Sequence, residues 1–361
     1  MLTMKNQTYR VYEAIKLDPL ASQQALADRL GMSRESVAGH IMQLTRQGYI
    51  LGKGYLLAEQ NTYVVIGGAN VDINGHSSAV LTTHDSNPGT ISQSPGGVGR
   101  NIAENLARLG EHVHLIASIG LDQRGNWLIE QTRASGVETH NILRHDTLPT
   151  GTYLAINNDS GQLQAAIADM RIIDTLDAQK LSSKQALLQS AYSIIIDANL
   201  SSDTIEWLAR QSLSAQLVAD AVSTAKASRL RPILAKLTLL KVNQDEARAI
   251  LDSNETAPNK LAKALLDAGV DEVLLSLGSK GVLFTSAEHS QQKICYPTVP
   301  VSDTGAGDAL LAGYLSACQQ NKSLDDSLSF ALACAAMTLE SAHANYPELT
   351  VQNVTQWIEK L

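Results

Sequence analysis

Thr304-Gly305-Ala306-Gly307-Asp308 sets three small residues between a hydroxyl and a carboxylate. It then runs directly into the small-apolar stretch Ala309-Leu310-Leu311-Ala312-Gly313-Tyr314-Leu315. A helix that begins here has free backbone N–H groups and a partial positive charge in its first turn, both of which attract an anion. Gly305, Ala306 and Gly307 leave that turn open to close approach, because no bulky side chain stands over the backbone. Asp308, in the first turn, can take a proton from a hydroxyl held beside a bound phosphate. The stretch is therefore expected to form a phosphoryl-transfer site, with residues 305–307 as the anion hole and Asp308 as the base.

Four other places carry chemistry. Pro95-Gly96-Gly97-Val98-Gly99-Arg100-Asn101 opens an amphipathic helix that Gly110 stops. Its glycines admit a ligand to the backbone, and Asn101 in the first turn can reach one. Asn70 and Asp72 follow the apolar run Tyr63–Ile66. On an extended segment they point to one side and suit adjacent hydroxyls; an ordinary Asx turn is the other reading. Asn243 and Glu246, three apart after Leu239-Leu240-Lys241-Val242, share a helical face. They can serve hydrated Mg²⁺ and phosphate through water, or simply be a helix start that favours acids. Ser276-Leu277-Gly278-Ser279-Lys280-Gly281 is a nucleotide-binding loop or a glycine-rich hairpin turn, and taken alone it favours the turn. No Walker motif occurs, and the glycines at 96–99 lack the third Gly of a dinucleotide fingerprint.

These residues need a scaffold that delivers them to one edge. Apolar runs at 63–66, 113–117, 152–157, 163–167, 194–197, 217–220, 237–242 and 273–277 read as strands. Helical segments alternate with them, among them 126–135 and 202–212. Such alternation predicts a mostly parallel sheet covered on both faces, with ligands outside the carboxyl ends of the strands. Residues 73–95 read as extended and polar, with turns at Asn74-Gly75 and at Asn87-Pro88-Gly89.

The first 58 residues are different in kind. Helices are expected at 8–17, at 22–30 behind a Ser22 cap, and at 33–47 behind Ser33, with Gly31 between the last two. Two short extended pieces follow, Tyr49-Ile50-Leu51 and Tyr55-Leu56-Leu57, and a polar linker spans 58–62. Charge divides the same way: +3 on residues 1–58 and −11 on 59–361, within a net −8. A basic head on an acidic body suggests two kinds of partner.

Length and composition bound the rest. The 361 residues suit two domains, and 44% hydrophobic residues supply a substantial core. Cys295, Cys318 and Cys334 form no C-x-x-C pair, so no disulfide framework or zinc site is expected. His112 and His114 alternate along a strand and read as a solvated face. The N-terminus lacks an apolar signal core, and no run reaches the ~18 apolar residues of a membrane span. A soluble, cytoplasmic protein without a membrane partner is expected.

Over about fifty residues the head resembles bacterial winged helix-turn-helix regulators, through Ala25-Leu26-Ala27 and Leu30-Gly31-Met32-Ser33. The resemblance implies that helix 33–47 enters the major groove of double-stranded DNA. Ser33, Arg34, Ser36 and His40 would lead it, with Lys53 of the wing on phosphate. A helical docking or dimerisation module is the alternative. Over about 300 residues the body resembles the ribokinase-like (PfkB) family of carbohydrate and nucleoside kinases. The stretches 95–110 and 304–313 carry that resemblance, more than 200 residues apart and in the family's order.

The family implies a three-layer α/β sandwich over 62–361. It also implies a small β lid built near 72–95 and 149–170, which excludes water. It implies Asp308 as base, residues 305–307 as anion hole, and Asn70, Asp72, Gly97, Asn101 and Asp169 around the acceptor. Asn243, Ser276, Gly278 and Gly281 would hold ATP, and Glu246 would hold Mg²⁺ through water. Ala168-Asp169-Met170, Asp197-Ala198-Asn199-Leu200 and the stretch 220–226 resemble the pseudouridine kinase branch. That branch implies a nucleoside 5′-hydroxyl as acceptor, beside other nucleosides, pentoses and hexoses. Ser302 stands six residues before Asp308 where relatives carry Asp or Asn, which leaves a K⁺ requirement open. A homodimer is implied by both resemblances. The rival reading is a transcription regulator that uses the kinase fold to sense its effector.

Overall fold

The computed structural model describes residues 6–52, 56–57 and 61–360. Lys53 and most of the 58–62 linker lie outside those residues. The chain opens with α1 (Asn6–Leu17), α2 (Gln23–Leu30), α3 (Arg34–Arg46) and a ribbon of β1 (Ile50–Gly52) and β2 (Leu56–Leu57). Val11, Ile15, Leu26, Val37, Leu44 and Ile50 close one apolar core between them. Ser22 and Ser33 each accept a hydrogen bond from the N–H three residues on, at 3.1 Å. A cap of this kind is worth ~1 kcal/mol to its helix. The head meets the body where Gly48 backs onto Gln189 and Ser190.

The body runs β3 (Tyr63–Ile66), β4 (Asn70–Ser77), β5 (Gly89–Gly96), α4 (Val98–Arg108), β6 (Val113–Ile116), β7 (Ser118–Gly120) and α5 (Gln123–Ala134). It continues β8 (Leu143–His145), β9 (Thr152–Asn157), β10 (Leu163–Asp169), α6 (Ala178–Ser182), α7 (Gln185–Ser190), β11 (Ser193–Asp197), α8 (Ser202–Ala209), β12 (Gln216–Asp220) and α9 (Thr224–Ala227). Then come β13 (Leu239–Asn243), α10 (Gln244–Leu251), α11 (Pro258–Asp267), β14 (Glu272–Ser276), β15 (Val282–Ser286), β16 (Ser290–Lys293), α12 (Ala306–Gln319), α13 (Leu324–Leu339) and α14 (Val351–Glu359).

The main sheet is ordered β16-β15-β14-β13-β12-β11-β3-β6. From β6 to β14 its strands are parallel, and β15 then turns back antiparallel. The sheet is mostly parallel, as expected from the sequence, with an antiparallel edge. The physical reason is the connection: residues 277–281 are too few for a crossover helix, so β15 must return as a hairpin. Both faces are covered. Along β3, Val64 and Ile66 join one apolar core while Tyr63 and Val65 join the other. The same alternation splits Ile194 and Ile196 from Ile195 on β11. Layers of helix, sheet and helix follow directly.

A second sheet, ordered β10-β9-β4-β5, stands apart from the first. Here the expected turn at Asn74-Gly75 is overturned. Gly75 sits mid-strand, paired with Ile91 on β5 and with Ile156 on β9. A strand paired on both sides outweighs a local Asn-Gly preference, and the chain reverses only between Ser77 and Gly89. Helix α5 starts three residues earlier than apolar periodicity placed it. Its cap, Asp122, accepts from Gly125 N at 2.7 Å, a polar signal that periodicity does not see.

Candidate active site

The residues singled out in the body gather where β3, β11, β12, β13 and β14 end. Gly305 caps the start of α12; it carries φ 83° and backs onto the Ala344 carbonyl without room for a Cβ. Three residues on, Asp308 is 7% exposed. Its Oδ2 accepts a 2.9 Å hydrogen bond from Asn101 Nδ2, across 207 residues of chain. Asn101 is fixed in turn: its Oδ1 accepts from Arg100 at 3.0 Å, and its carbonyl accepts from Asn345 Nδ2 at 2.9 Å. Arg100 is buried, donates also to Asn345 Oδ1 at 3.1 Å and pairs with Glu104. Burial and the charge of Asp220 raise the Asp308 carboxyl to about 7, against the pull of Lys241 and Asn101. A carboxyl near neutrality is matched to a base working near neutral pH.

Asn70 and Asp72 lie beside the start of α4, where Arg100 faces the charges of both Asp72 and Asp308. Asn70 Nδ2 donates to Asp72 Oδ1 at 2.6 Å, and Asp72 packs against Gly96. Burial raises the Asp72 carboxyl, opposed by Asn70 and Arg100. Neither residue forms an Asx turn, since both lie in β4. Gly97, with φ 100°, lies against the backbone of Gly68 and Ala69, which brings the start of α4 onto the end of β3. Asp197 secures that junction. Its Oδ2 accepts from both Gly68 N and Gly99 N at 2.8 Å. Asp169 is not drawn in. It forms a bidentate pair with Arg171 at 2.7 and 2.8 Å and is half-exposed at the end of β10. The neighbouring Met170 sets its sulfur against Gly151, which Asn70 also approaches.

Beyond Gly307 lies a cavity of about 580 Å³. Ser276, Gly278 and Gly281 line it, with Tyr296, Leu310 and Ala336 making its wall apolar. Asn243 and Glu246 lie outside this lining and form a capping box. Asn243 Oδ1 accepts from Glu246 N, and Glu246 Oε2 accepts from Asn243 N, each at 2.8 Å. The helix-start reading of this pair is therefore realised, and it leaves one Glu246 oxygen uncommitted. Ser302 accepts a hydrogen bond from Thr304 N at 3.2 Å. Among the described residues, no cluster of three or more His, Cys, Asp or Glu could hold a metal ion. Mg²⁺ fits such a site when it arrives on a nucleotide's phosphates and keeps its waters.

Three further charged groups stand at this edge: Asp197 and Asp220, which the sequence offered only as part of a resemblance, and Lys241, which it did not single out. Asp220 ends β12, and Lys241 lies on β13 with its Nζ 2.9 Å from Asp220 Oδ2. A Cβ built on Gly307 would stand 2.7 Å from that Nζ, so the ammonium sits beneath the first turn of α12. Burial opposes the Lys241 charge, but Asp220, Glu246 and Asp308 outweigh it and raise its pKa. The third is Asp197. The signal available was a lysine inside an apolar strand, and two apolar strands that each end on Asp.

In the head, Arg34 is exposed and Ser36 partly exposed. Ser33 spends its acceptor on the α3 cap. His40 departs from its expected outward role: its Nδ1 lies 3.0 Å from Thr8 Oγ1 on α1, because Thr8 is buried and needs a partner. The outward stripe of α3 is instead Glu35, Gly39, Met42 and Arg46.

Comparison with known proteins gives this geometry a setting. Residues 60–351 match the pfkB family of carbohydrate kinases, and residues 4–50 match a winged helix-turn-helix DNA-binding family. An uncharacterized sugar kinase of Escherichia coli, YeiI, is 36% identical over 354 residues, 97% of this chain and 98% of its own length. The pseudouridine kinase of the same organism is 33% identical over 308 residues, 84% of this chain and 98% of its own. Among solved structures, a carbohydrate kinase from Agrobacterium tumefaciens is 30% identical with a TM-score of 0.74, covering 83% of this chain and 97% of its own.

Proposed function

The chain belongs to the pfkB family of carbohydrate kinases with a winged helix-turn-helix segment ahead of the kinase fold, and from that premise we propose that it phosphorylates the 5′-hydroxyl of a pseudouridine-like nucleoside with ATP. The observation that carries this reading is the Asn101–Asp308 hydrogen bond. It joins the two glycine-rich helix starts, so that a base stands between an acceptor mouth and a nucleotide-sized cavity. The acceptor's hydroxyl proton passes to Asp308 Oδ. The hydroxyl oxygen forms a bond to the γ-phosphorus, and the bond to the β-phosphate oxygen breaks, so ADP leaves with that electron pair. The N–H groups of residues 305–307 hold the charge of the phosphoryl group in transit.

Asn70 and Asp72 hold sugar hydroxyls, and Gly97 brings backbone against them. Asn101 both orients Asp308 and faces the acceptor. Ser276, Gly278 and Gly281 line the ATP cavity. Asn243 and the free oxygen of Glu246 would meet the nucleotide's hydrated Mg²⁺, which neutralises phosphate charge when bound. Asp169 belongs to the lid rather than to the site's inner wall. The preference for pseudouridine rests on the 33% identity to a pseudouridine kinase over nearly all of that protein's length. The test is ³¹P NMR of a reaction with ATP and pseudouridine. A new 5′-monoester with stoichiometric ADP supports the reading, and an unchanged nucleoside beside other phosphorylated sugars refutes the assigned acceptor.

The second part of the proposal is DNA binding by α3, supported by its exposed Arg34 and Arg46, by the partly exposed Ser36 and by the matched family's description. A homodimer belongs to the same reading, since winged heads commonly bind DNA in pairs. The lid also leaves Ile91 and Ile167 uncovered, at 81% and 67% exposure.

A further inference from the structure

We propose that Lys241, held in place by Asp220, supplies a fixed positive charge beneath the phosphoryl-transfer loop and acts together with Asp308 in the chemical step. The inference rests on the reading of Asp308 as base. Three pieces of geometry support it. Lys241 Nζ occupies the space where a side chain at 307 would begin, directly under the turn whose N–H groups would face the transferring phosphoryl group. Gly307 leaves that space to the ammonium, and a larger residue there would displace the end of the Lys241 side chain and with it the ion pair to Asp220.

The second piece is how firmly Asp220 is held. Its Oδ2 meets Lys241 at 2.9 Å, while its Oδ1 accepts from Val222 N at 2.7 Å. Val222 pays for that bond with φ 64°, a left-handed conformation that β-branched residues rarely adopt. Strain of this sort persists where the surroundings over-determine it, and it clusters at functional sites. Here it aims one carboxylate at one ammonium. The third piece is burial. Asp220 is 1% exposed and Lys241 8%, so their charges act at low dielectric with little screening by solvent.

The charged groups facing Asp308 are Asp220 from β12, Lys241 from β13, Asp197 from β11 and Arg100 from α4. Glu246, at the start of α10, faces Lys241. Within that set Lys241 and Asp220 pull on Asp308 in opposite directions. Lys241 favours the ionised base and Asp220 disfavours it. As the phosphoryl group moves, the same ammonium meets negative charge developing above it.

The test uses the full chain and steady-state kinetics with ATP and the nucleoside that it turns over. Lys241→Met should lower kcat by roughly a hundred- to a thousand-fold, the cost of removing one preorganised donor. The acceptor KM should stay within about threefold, because the lost interaction belongs to the transition state. In kcat/KM against pH, the acid limb should move to higher pH in Lys241→Met and to lower pH in Asp220→Asn. The opposite shifts read the two charges at Asp308, and the fall in kcat at unchanged KM reads the part of Lys241 in the chemical step. Because Lys241→Met leaves Asp220 buried and unpaired, the double variant Lys241→Met/Asp220→Asn, checked by circular dichroism, keeps the site neutral and should stay as slow as the single variant. Wild-type kcat in the folded double variant, or limbs that move in the same direction, would overturn the proposal. Asp308→Asn is run in parallel. If it turns over normally, the base assignment fails, whatever Lys241 does.

Discussion

Asp308 is buried where a carboxylate is costly, and in the proposed reaction that cost suits it to take a proton near neutral pH. With its carboxyl raised to about 7, kcat/KM should fall tenfold per pH unit below neutrality as the base takes up a proton. The same shift has a stability sign. An unfolded aspartate titrates near ~3.9, so the native state binds this proton more tightly than the unfolded chain does. Stability is then full below about pH 4 and declines as pH rises to about 7, as the buried group is forced to ionise. Asp308→Asn should therefore remove turnover by about a thousandfold or more while melting above wild type at pH 8, the gap closing near pH 4. Thermal unfolding at the two pH values, beside the activity assay, checks both halves. A variant that melts lower at pH 8 contradicts the burial account. Asp308, Asn101, Asn70 and Asp72 were legible in the sequence because each follows a glycine-rich or apolar landmark. Lys241 was not, because its role depends on a glycine 66 positions away whose missing side chain makes its space.

At the scale of elements, the site is two helix starts set against the strand ends. Gly305 holds the second start in a left-handed turn against Ala344, so Gly305→Ala asks for both an unfavourable φ and a displaced backbone. It should cost roughly 1–3 kcal/mol of stability and take activity with it. Differential scanning calorimetry reads the first and turnover the second; an unchanged melt would mean that the turn adjusts freely. Asp197 binds the first start to β3 through two N–H groups, so that α4 and β3 move as one piece. Strands and helices with strong periodicity were readable in advance. The glycine-rich hairpin turn at 276–281 was readable too, since it is set by a short local connection. What failed was the Asn74-Gly75 turn, which gave way to pairing on both sides: propensity acts over a few residues, and that outcome was decided by partners farther along the chain, Ile91 and Ile156.

At the scale of the molecule, a DNA-binding type of head precedes a kinase body, and among the described residues no helix is long and apolar enough to cross a membrane. The 36% match to YeiI covers 97% of this chain, so the likeness runs through both parts. Binding of the full chain to genomic fragments should weaken steeply from about 50 to 200 mM salt, as phosphate-contacting proteins do. Light scattering on the same preparation should return twice the chain mass. No retained DNA at low salt would leave the head as a docking module, and a monomer would remove the dimer from the account. If the nucleoside also alters DNA affinity, the enzyme reports on its own substrate. The division into two parts was legible from charge and helix pattern, whereas the acceptor was not, because no hydroxyl is specified by a glycine loop. The central claim is that Asp308 and Asn101 serve a nucleoside kinase. It is tested most directly by measuring ADP release against a panel of nucleosides, pentoses and hexoses. The account predicts the highest kcat/KM for pseudouridine, abolished in Asp308→Asn. Silence across the whole panel, or turnover that survives Asp308→Asn, would contradict it.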